Sequence, residues 1–407
     1  MIVLADCNNF FVSCEKVFNP SLEGLPVIVL SNNDGCVVSR SNEAKAIGIK
    51  MGDPYFQIKD FCIRHNVAVF SSNFQLYRDL SNRVMSVLSS IGADIEIYSV
   101  DEAFLLIEPE EIYQKCIGLR KKVKQWVGIP ISLGIAQTKT LAKVASSVAK
   151  KSDSGVFDIS NPEIQKEILQ KYPIGDVWGI GARLSQALKS MGVRTALEFR
   201  NMDPPIVRKK MGVVGERMLW ELRGLSCNHL EGPRPKKSIT VSRSFGKVIE
   251  KEAELAEALS TFVSSASEKL RLQKSTASGI SIFLGDGLNL YEEKEILDRS
   301  TSDTSEIITI AKKLLSKIFI VNIRYKKCGV VLFDISPESV VSNDLFLPKE
   351  NPKRKALMKT VDLLNERFGK NSLFFGAMGT KPKWNSRKNE LSDHNTIEWD
   401  HLPIVKA

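Results

Sequence analysis

The sequence predicts a multidomain α+β protein, and three observations carry that expectation. At 407 residues the chain exceeds what one hydrophobic core ordinarily serves. Strand and helix signals are mixed with hairpin signals, without the regular succession of a parallel α/β fold. A Pro-rich basic run, Gly232-Pro233-Arg234-Pro235-Lys236-Lys237, reads as a linker between folded parts.

The first part opens with a short buried strand over residues 2–5 that ends at Asp6. Residues 27–30 and 37–39 read as two strands joined around Asn32-Asn33-Asp34-Gly35, where Asp-Gly would supply the positive φ angles of a hairpin. Residues 76–88 form an amphipathic helix, with Leu76, Leu80, Val84, Val87 and Leu88 on one face. Residues 95–107 alternate like one strand, with Asp101-Glu102 in its middle. A strand over 130–136 leads into a helix over 138–150 that carries Lys139, Lys143 and Lys150. Residues 162–233 are helical and punctuated by glycine, with Val177-Trp178-Gly179-Ile180-Gly181 opening one helix and Gly212-Val213-Val214-Gly215 another. Beyond the linker, residues 238–337 read strand, helix, strands, helix, strand, a second α+β domain. The chain then turns polar, with one more amphipathic helix near 355–368.

Charge narrows the partners. The net charge is +10, and it is uneven: residues 1–110 carry 8 basic against 14 acidic residues, the remainder 49 against 33. An acidic first quarter joined to a basic rest suits a metal-dependent enzyme acting on a polyanion. Seven scattered cysteines without a C-x-x-C pair suit a reducing cytoplasm. Four separated histidines make none of the zinc hydrolase or deaminase patterns. No apolar run approaches the roughly 18 residues of a membrane helix, and the opening apolar residues lack the basic flank of a signal peptide.

The chemistry centres on carboxylates. Asp6 ends a strand and Asp101-Glu102 follows 95 positions later. An Asp-Glu pair is ordinarily solvated surface. Here Ile97, Val100, Ala103 and Phe104 surround it, and two ionised carboxylates in such a setting call for a cation. Phosphoryl transfer by two metals needs carboxylates that converge at the tip of a rigid sheet. For neighbours 101 and 102 both to ligate, the strand must turn or bulge there.

Asp6-Cys7-Asn8-Asn9-Phe10-Phe11 and Ser99-Val100-Asp101-Glu102-Ala103-Phe104 resemble the metal-binding motifs of the Y-family translesion DNA polymerases, UmuC type. Further matching runs are Ser31-Asn32-Asn33-Asp34-Gly35-Cys36, Glu43-Ala44-Lys45, Met51-Gly52-Asp53-Pro54, Ser71-Ser72-Asn73, Gly134-Ile135-Ala136-Gln137-Thr138-Lys139-Thr140-Leu141-Ala142-Lys143, Asp176-Val177-Trp178-Gly179-Ile180-Gly181 and Ser242-Arg243-Ser244-Phe245-Gly246. They occur in order over nearly the whole chain.

The resemblance implies a right-hand polymerase: palm at 1–18 and 73–165, fingers at 19–72, a helical thumb at 166–233, a little finger at 238–337 and a partner-binding tail at 338–407. It implies an error-prone, SOS-linked DNA polymerase that extends a primer opposite damaged template with two Mg²⁺ ions. Asp6, Asp101 and Glu102 would hold the ions, with the Cys7 carbonyl completing one of them. Phe10, Phe11, Ser39, Asn42, Lys45 and Lys150 fall at nucleotide-binding positions, and Phe11 at the steric gate that excludes a 2′-hydroxyl. Phe10 beside it reads as core. Many relatives carry Tyr and Arg where this chain has Asn42 and Lys45. Gly179 and Gly181, in a turn like a helix-hairpin-helix, and Arg243 would meet DNA. Leu345-Phe346 lies where relatives carry a sliding-clamp peptide, with Ser342 in place of the leading Gln. Implied partners are primer-template DNA, deoxynucleoside triphosphates, the clamp, a UmuD-type accessory subunit and a recombinase filament, without a membrane. The competing readings are a two-metal nuclease and a non-catalytic damage-binding scaffold.

Overall fold

The computed structural model describes residues 1–232, 234–340, 352–380, 384–392 and 396. The chain divides into two compact units. One comprises Met1–Ser31, Gly35–Pro233 and Glu390–Ala407; the other comprises Asn32–Asp34 and Arg234–Asn389. Among the described residues no helix is long and apolar enough to cross a membrane.

In the first unit, strand β1 (Ile2–Cys7) is buried along its whole length. Burial on both faces explains its unbroken apolar run. Helix α1 (Phe10–Phe18) follows, entered through Asn9 in the left-handed region. Strands β2 (Val27–Leu30) and β3 (Val37–Arg40) pair antiparallel. The turn between them holds positive φ at Asn33 and Asp34, while Gly35 is in the ordinary helical region; the expectation that Gly35 supplies the left-handed angle is corrected. Asparagine and aspartate tolerate that region because their short polar side chains bond locally.

Helices α2 (Asn42–Ala46) and α3 (Tyr55–Arg64) lead to β4 (Ala68–Ser71), which runs parallel to β2. Helix α4 (Phe74–Ser89) is the amphipathic helix expected over 76–88. Next come β5 (Asp94–Ile97) and β6 (Glu102–Leu106), α5 (Ile112–Val127), β7 (Ile131–Ala136), α6 (Lys139–Ala149) and β8 (Val156–Asp158). These strands form a sheet of order β5-β6-β1-β7-β8.

The single strand expected over 95–107 is two strands paired antiparallel. The reversal falls at residues 98–101, where Tyr98 and Ser99 amides donate to the Glu102 carbonyl at 3.0 and 3.1 Å. The Ser99 hydroxyl donates to Asp101 Oδ1 at 2.6 Å. Period-2 alternation continues through such a tight turn, so pattern alone does not reveal it.

On one sheet face Val3, Ala5, Ala103 and Leu105 pack with α1, α4 and α5. On the other, Ile2, Leu4 and Phe104 pack with α6 and with helices farther along the chain. Gly134 permits the close approach of α6: a Cβ there would lie 2.2 Å from the Ser146 nitrogen and 2.4 Å from the Ala142 oxygen. Helices α7 (Pro162–Lys171), α8 (Ala182–Ser190), α9 (Ala196–Arg200) and α10 (Pro204–Leu222) complete this half, the last kinked at Gly212 (φ 68°). Buried Glu221 accepts from the Thr140, Cys227 and Asn228 amides at 3.0, 2.7 and 3.0 Å, fixing the end of α10 to the start of α6.

The second unit has the order expected: β9 (Ile239–Ile249), α11 (Glu252–Leu272), β10 (Ser275–Gly285), β11 (Leu290–Thr301), α12 (Thr304–Ile318) and β12 (Tyr325–Pro337). The sheet order is β11-β10-β12-β9, covered on one face by α11 and α12. Helix α13 (Pro352–Phe368) docks on this unit through two bidentate pairs. Arg271 meets Asp362 at 2.6 and 2.7 Å, and Arg354 meets Asp303 at 2.7 and 2.9 Å. Trp384 is 5% exposed and packs edge-on against Phe245 and Phe262. The stretch after residue 337 is thus partly folded core, and not a merely polar extension.

Candidate active site

The site is built where β1 ends and β6 begins. In their register Asp6 stands opposite Glu102, so both side chains leave the sheet on the face that Leu4 and Phe104 share, toward α6. Asp101 sits in the turn before β6, and its carbonyl accepts from the Cys7 amide at 2.9 Å. The turn thus sets Asp101 beside the end of β1, next to Glu102 at the first position of β6.

Helix α6 answers these acids with a row of lysines at helical spacing. Lys139 Nζ lies 2.6 Å from Glu96, Lys143 Nζ 2.8 Å from Glu102 and Lys150 Nζ, just past the helix, 2.7 Å from Asp6. Lys139 also donates to the His229 carbonyl at 2.8 Å and is 4% exposed, so it is architectural. Lys143 lies over the rings of Tyr98, Trp178 and Phe104, at 4.5, 5.5 and 5.9 Å from their centroids. Neither Lys143 nor its aromatic cage was assigned a site role from sequence. Its signals were its place at the end of the family-like run from Gly134 and its position four residues after Lys139.

Asp6 is 7% exposed. Burial pushes its carboxyl up to about 6; Lys150 opposes that, and the nearby Glu102 and Asp101 carboxylates reinforce it. Asp6, Asp101 and Glu102 are all hard oxygen donors, the type that suits divalent cations. Among the described residues no three His, Cys, Asp or Glu side chains are gathered closely enough to hold an ion by themselves. Lys143 and Lys150 occupy one oxygen each of Glu102 and Asp6, where added positive charge is favoured.

A second cluster is basic. Lys45 Nζ donates to Asn9 Oδ1 at 2.6 Å and Asn42 Oδ1 at 3.2 Å, and Asn9 Nδ2 donates to Asn42 Oδ1 at 3.1 Å. Burial lowers the Lys45 pKa, and the positive charges of Arg40 and Lys150 lower it further. A like-charge group of this kind accepts phosphate readily. Asn9 was missed as a member; its left-handed conformation turns its amide to this cluster.

Phe11 stacks on Tyr77 with centroids 4.6 Å apart and planes 15° off parallel, and Phe74 meets it edge-on at 5.9 Å. Phe10 is 4% exposed within the core, so it is a support for Phe11 and offers no face to a nucleotide. Ser39 is also buried, its hydroxyl accepting from the Val12 amide at 3.4 Å. Its hydroxyl ties the start of α1 to β3.

Gly179 has φ 88°, and a Cβ there would meet Met218 Sδ at 2.6 Å, so packing and conformation both demand glycine. Gly181 caps α8 with open space beyond it. Arg243 is exposed on β9 of the second unit. Leu345 and Phe346 lie outside the described residues.

Residues 5–147 match the impB/mucB/samB family, residues 236–345 its C-terminal domain, and residues 355–405 a domain of unknown function. Protein ImpB of Salmonella typhimurium is 38% identical over the whole of both chains, and Protein UmuC of the same species 39%. DNA polymerase IV of Desulfatibacillum aliphaticivorans is 27% identical over 93% of this chain and 97% of its own. Among solved structures, a Y-family polymerase chimera of Dbh and Dpo4 is similar at TM-score 0.69 and 22% identity, over 83% of this chain and 100% of that one. A Dbh insertion ternary complex is similar at TM-score 0.57 and 21% identity, over the same shares. With two family segments matched in order and a full-length relative at 39% identity, the chain belongs to the impB/mucB/samB family, and its fold is that of the similar polymerase structures.

Proposed function

We propose that this chain is an error-prone translesion DNA polymerase of the DNA-damage response, adding deoxynucleotides to a primer 3′ end opposite damaged template. The observation that carries this reading is the registered pair Asp6 and Glu102, with Asp101 in the adjoining turn and Lys150 ion-paired to Asp6. The names of relatives, UmuC and DNA polymerase IV, and the ternary complex among similar structures support polymerisation on primer-template DNA from deoxynucleoside triphosphates.

The reading assigns two Mg²⁺ ions to Asp6, Asp101, Glu102 and the Cys7 carbonyl. Bound there, they would neutralise the carboxylates and the phosphates that meet them. The protein's own groups divide the remaining work. Lys45 and Lys150 attract the triphosphate, with Asn9 and Asn42 orienting Lys45. Phe11 packs beneath the sugar. The domain assignment is palm at 1–18 and 73–165, fingers at 19–72, thumb at 166–233 and little finger at 238–337. The DNA backbone would pass Gly181 and Arg243, whose amide and guanidinium suit phosphate contact without sequence readout. A UmuD-type accessory subunit, a recombinase filament and a sliding clamp bound through Leu345-Phe346 complete the proposed assembly. Seven free thiols suit the cytoplasm.

Primer extension on damaged and undamaged template tests the reading. Wild type extends only with added deoxynucleotides, and Asp101→Ala abolishes extension while DNA binding survives. Degradation of the primer without nucleotides would assign a nuclease instead. Extension by Asp101→Ala above a few per cent of wild type would remove Asp101 from the centre.

A further inference from the structure

Glu15 is an acid in the core of the first unit, carried by α1 and 4% exposed. Its Oε1 accepts from the Tyr77 hydroxyl at 2.6 Å. Phe11 stands one helical turn earlier on the same helix, so the two side chains share a face of α1. Tyr77 is held by both of them, its hydroxyl by Glu15 and its ring by Phe11, which stacks at 4.6 Å and 15° off parallel. The Phe74 ring lies edge-on to Phe11 and to Tyr77, at 5.9 and 6.1 Å.

Tyr77 is a firm support because α4 is fixed where it starts. Asn73 caps that helix, with Oδ1 accepting from the Leu76 amide at 3.3 Å and Nδ2 donating to the Ser392 hydroxyl at 3.3 Å. Tyr77 is fully buried, whereas Phe11 is only partly so. A buried carboxylate is costly unless a donor meets it, and a buried phenol is costly unless it finds an acceptor. The bond between them therefore holds both in one place. The plane of the Tyr77 ring then sets the plane of the ring stacked on it.

We propose that Glu15 is a positioning residue for sugar discrimination, fixing the plane of the Phe11 ring through the Tyr77 hydroxyl. This rests on the reading of Phe11 as the gate. Neither the family match nor the relatives' names assign Glu15 a part in substrate selection.

The test is single-nucleotide insertion with matched deoxy and ribo triphosphates, in the full chain. Tyr77→Phe keeps the ring and removes the donor; Glu15→Leu keeps much of the volume and removes the acceptor. Each raises the ratio of ribo to deoxy insertion by about 3- to 10-fold, part of the worth of one hydrogen bond to a charged group. Glu15→Gln keeps an acceptor oxygen and stays within about twofold of wild type. The double variant Glu15→Leu, Tyr77→Phe raises the ratio no further than either single change, because both remove the same bond. It also leaves no buried polar group unpaired, so its denaturant midpoint recovers relative to the singles while the ratio stays raised. Phe11→Ala is the reference and raises the ratio most.

A ratio that returns to wild type in the double variant would show that the single changes acted by general loosening, and would overturn the positioning role. Effects that multiply in the double variant would overturn it too, as would Glu15→Gln behaving like Glu15→Leu. A ratio unchanged by Tyr77→Phe but raised by Phe11→Ala removes Glu15 and leaves the gate standing. A ratio unchanged by Phe11→Ala overturns the gate, and the role of Glu15 falls with it.

Discussion

Lys143 and Glu102 are joined at 2.8 Å, and the ammonium lies between that carboxylate and the face of the Tyr98 ring. One oxygen of Glu102 is thereby fixed while the other remains available to a ligand. The aromatic surroundings restrict where the lysine can go, since rings at these distances attract a cation.

Lys143→Met keeps the length and the apolar contact with Tyr98, Trp178 and Phe104 but leaves Glu102 without its partner. Groups that orient a metal-binding carboxylate are typically worth 10- to 100-fold in activity or metal affinity. We expect kcat for nucleotide insertion to fall about 10- to 100-fold with a smaller change in the KM for nucleotide. Steady-state kinetics at saturating DNA measures both; kcat within twofold of wild type would remove Lys143 from the centre.

Phe11→Ala lets ribonucleotides in. A deoxyribose packs flat on the ring, whereas a 2′-hydroxyl presses into it and displaces the reacting phosphate, and small misplacements can cost about 100-fold in rate. Deoxynucleotide insertion falls modestly, because packing is lost, while ribonucleotide insertion rises. Phe11→Tyr changes little, since the ring excludes and the phenol does not. Matched insertion rates check this.

Trp384→Ala destabilises the second unit. Truncating a buried tryptophan costs about 3–5 kcal/mol, and here it also uncovers Phe245 and Phe262. Gly246→Ala acts at the same place, because its Cβ would lie 2.4 Å from the Asn385 carbonyl oxygen. Denaturant unfolding followed by tryptophan-independent far-UV signal should show an earlier midpoint for both variants, and limited proteolysis should cut sooner near residue 384.

Helix α13 loosens in acid. Burial alone would raise the Asp303 carboxyl, but the Arg354 hydrogen bonds and charge and the Glu306 amide outweigh it and hold the pKa below the ordinary value of 3.8. A depressed carboxyl contributes stability that is present above its unfolded pKa and is lost as pH falls through the folded one. Docking is therefore intact at pH 6 and weakens below about pH 4. The contribution is modest, about 1 kcal/mol, because Arg354 is half exposed. Hydrogen exchange in α13 (Pro352–Phe368) should accelerate across that window in wild type. Asp303→Asn should already exchange faster at pH 6 and should lose this component of the pH response.

How much of the site could be read from sequence follows from chemistry. Asp6 and Asp101-Glu102 stood out because ionised groups against apolar strands need a cation, a conflict that is visible in the residues themselves. Lys143 did not stand out, because a lysine on a helix is ordinarily solvated and only the fold shows an acid and three rings around it. Phe10 and Phe11 are neighbours of identical type, and only the start of α1 decides which enters the core and which meets Tyr77.

Local pattern by itself determined the α+β class, the strand ending at Asp6, the α4 and α6 helices and the order of elements in the second unit, because period and turn chemistry are short-range properties. The tertiary structure alone decided the reversal at residues 98–101, the lysine row of α6 set against three acids, and the return of Ser392 to a point 319 positions earlier at Asn73. Those are long-range pairings. They depend on which faces the packed sheet and helices present to one another, and no window of sequence contains both partners.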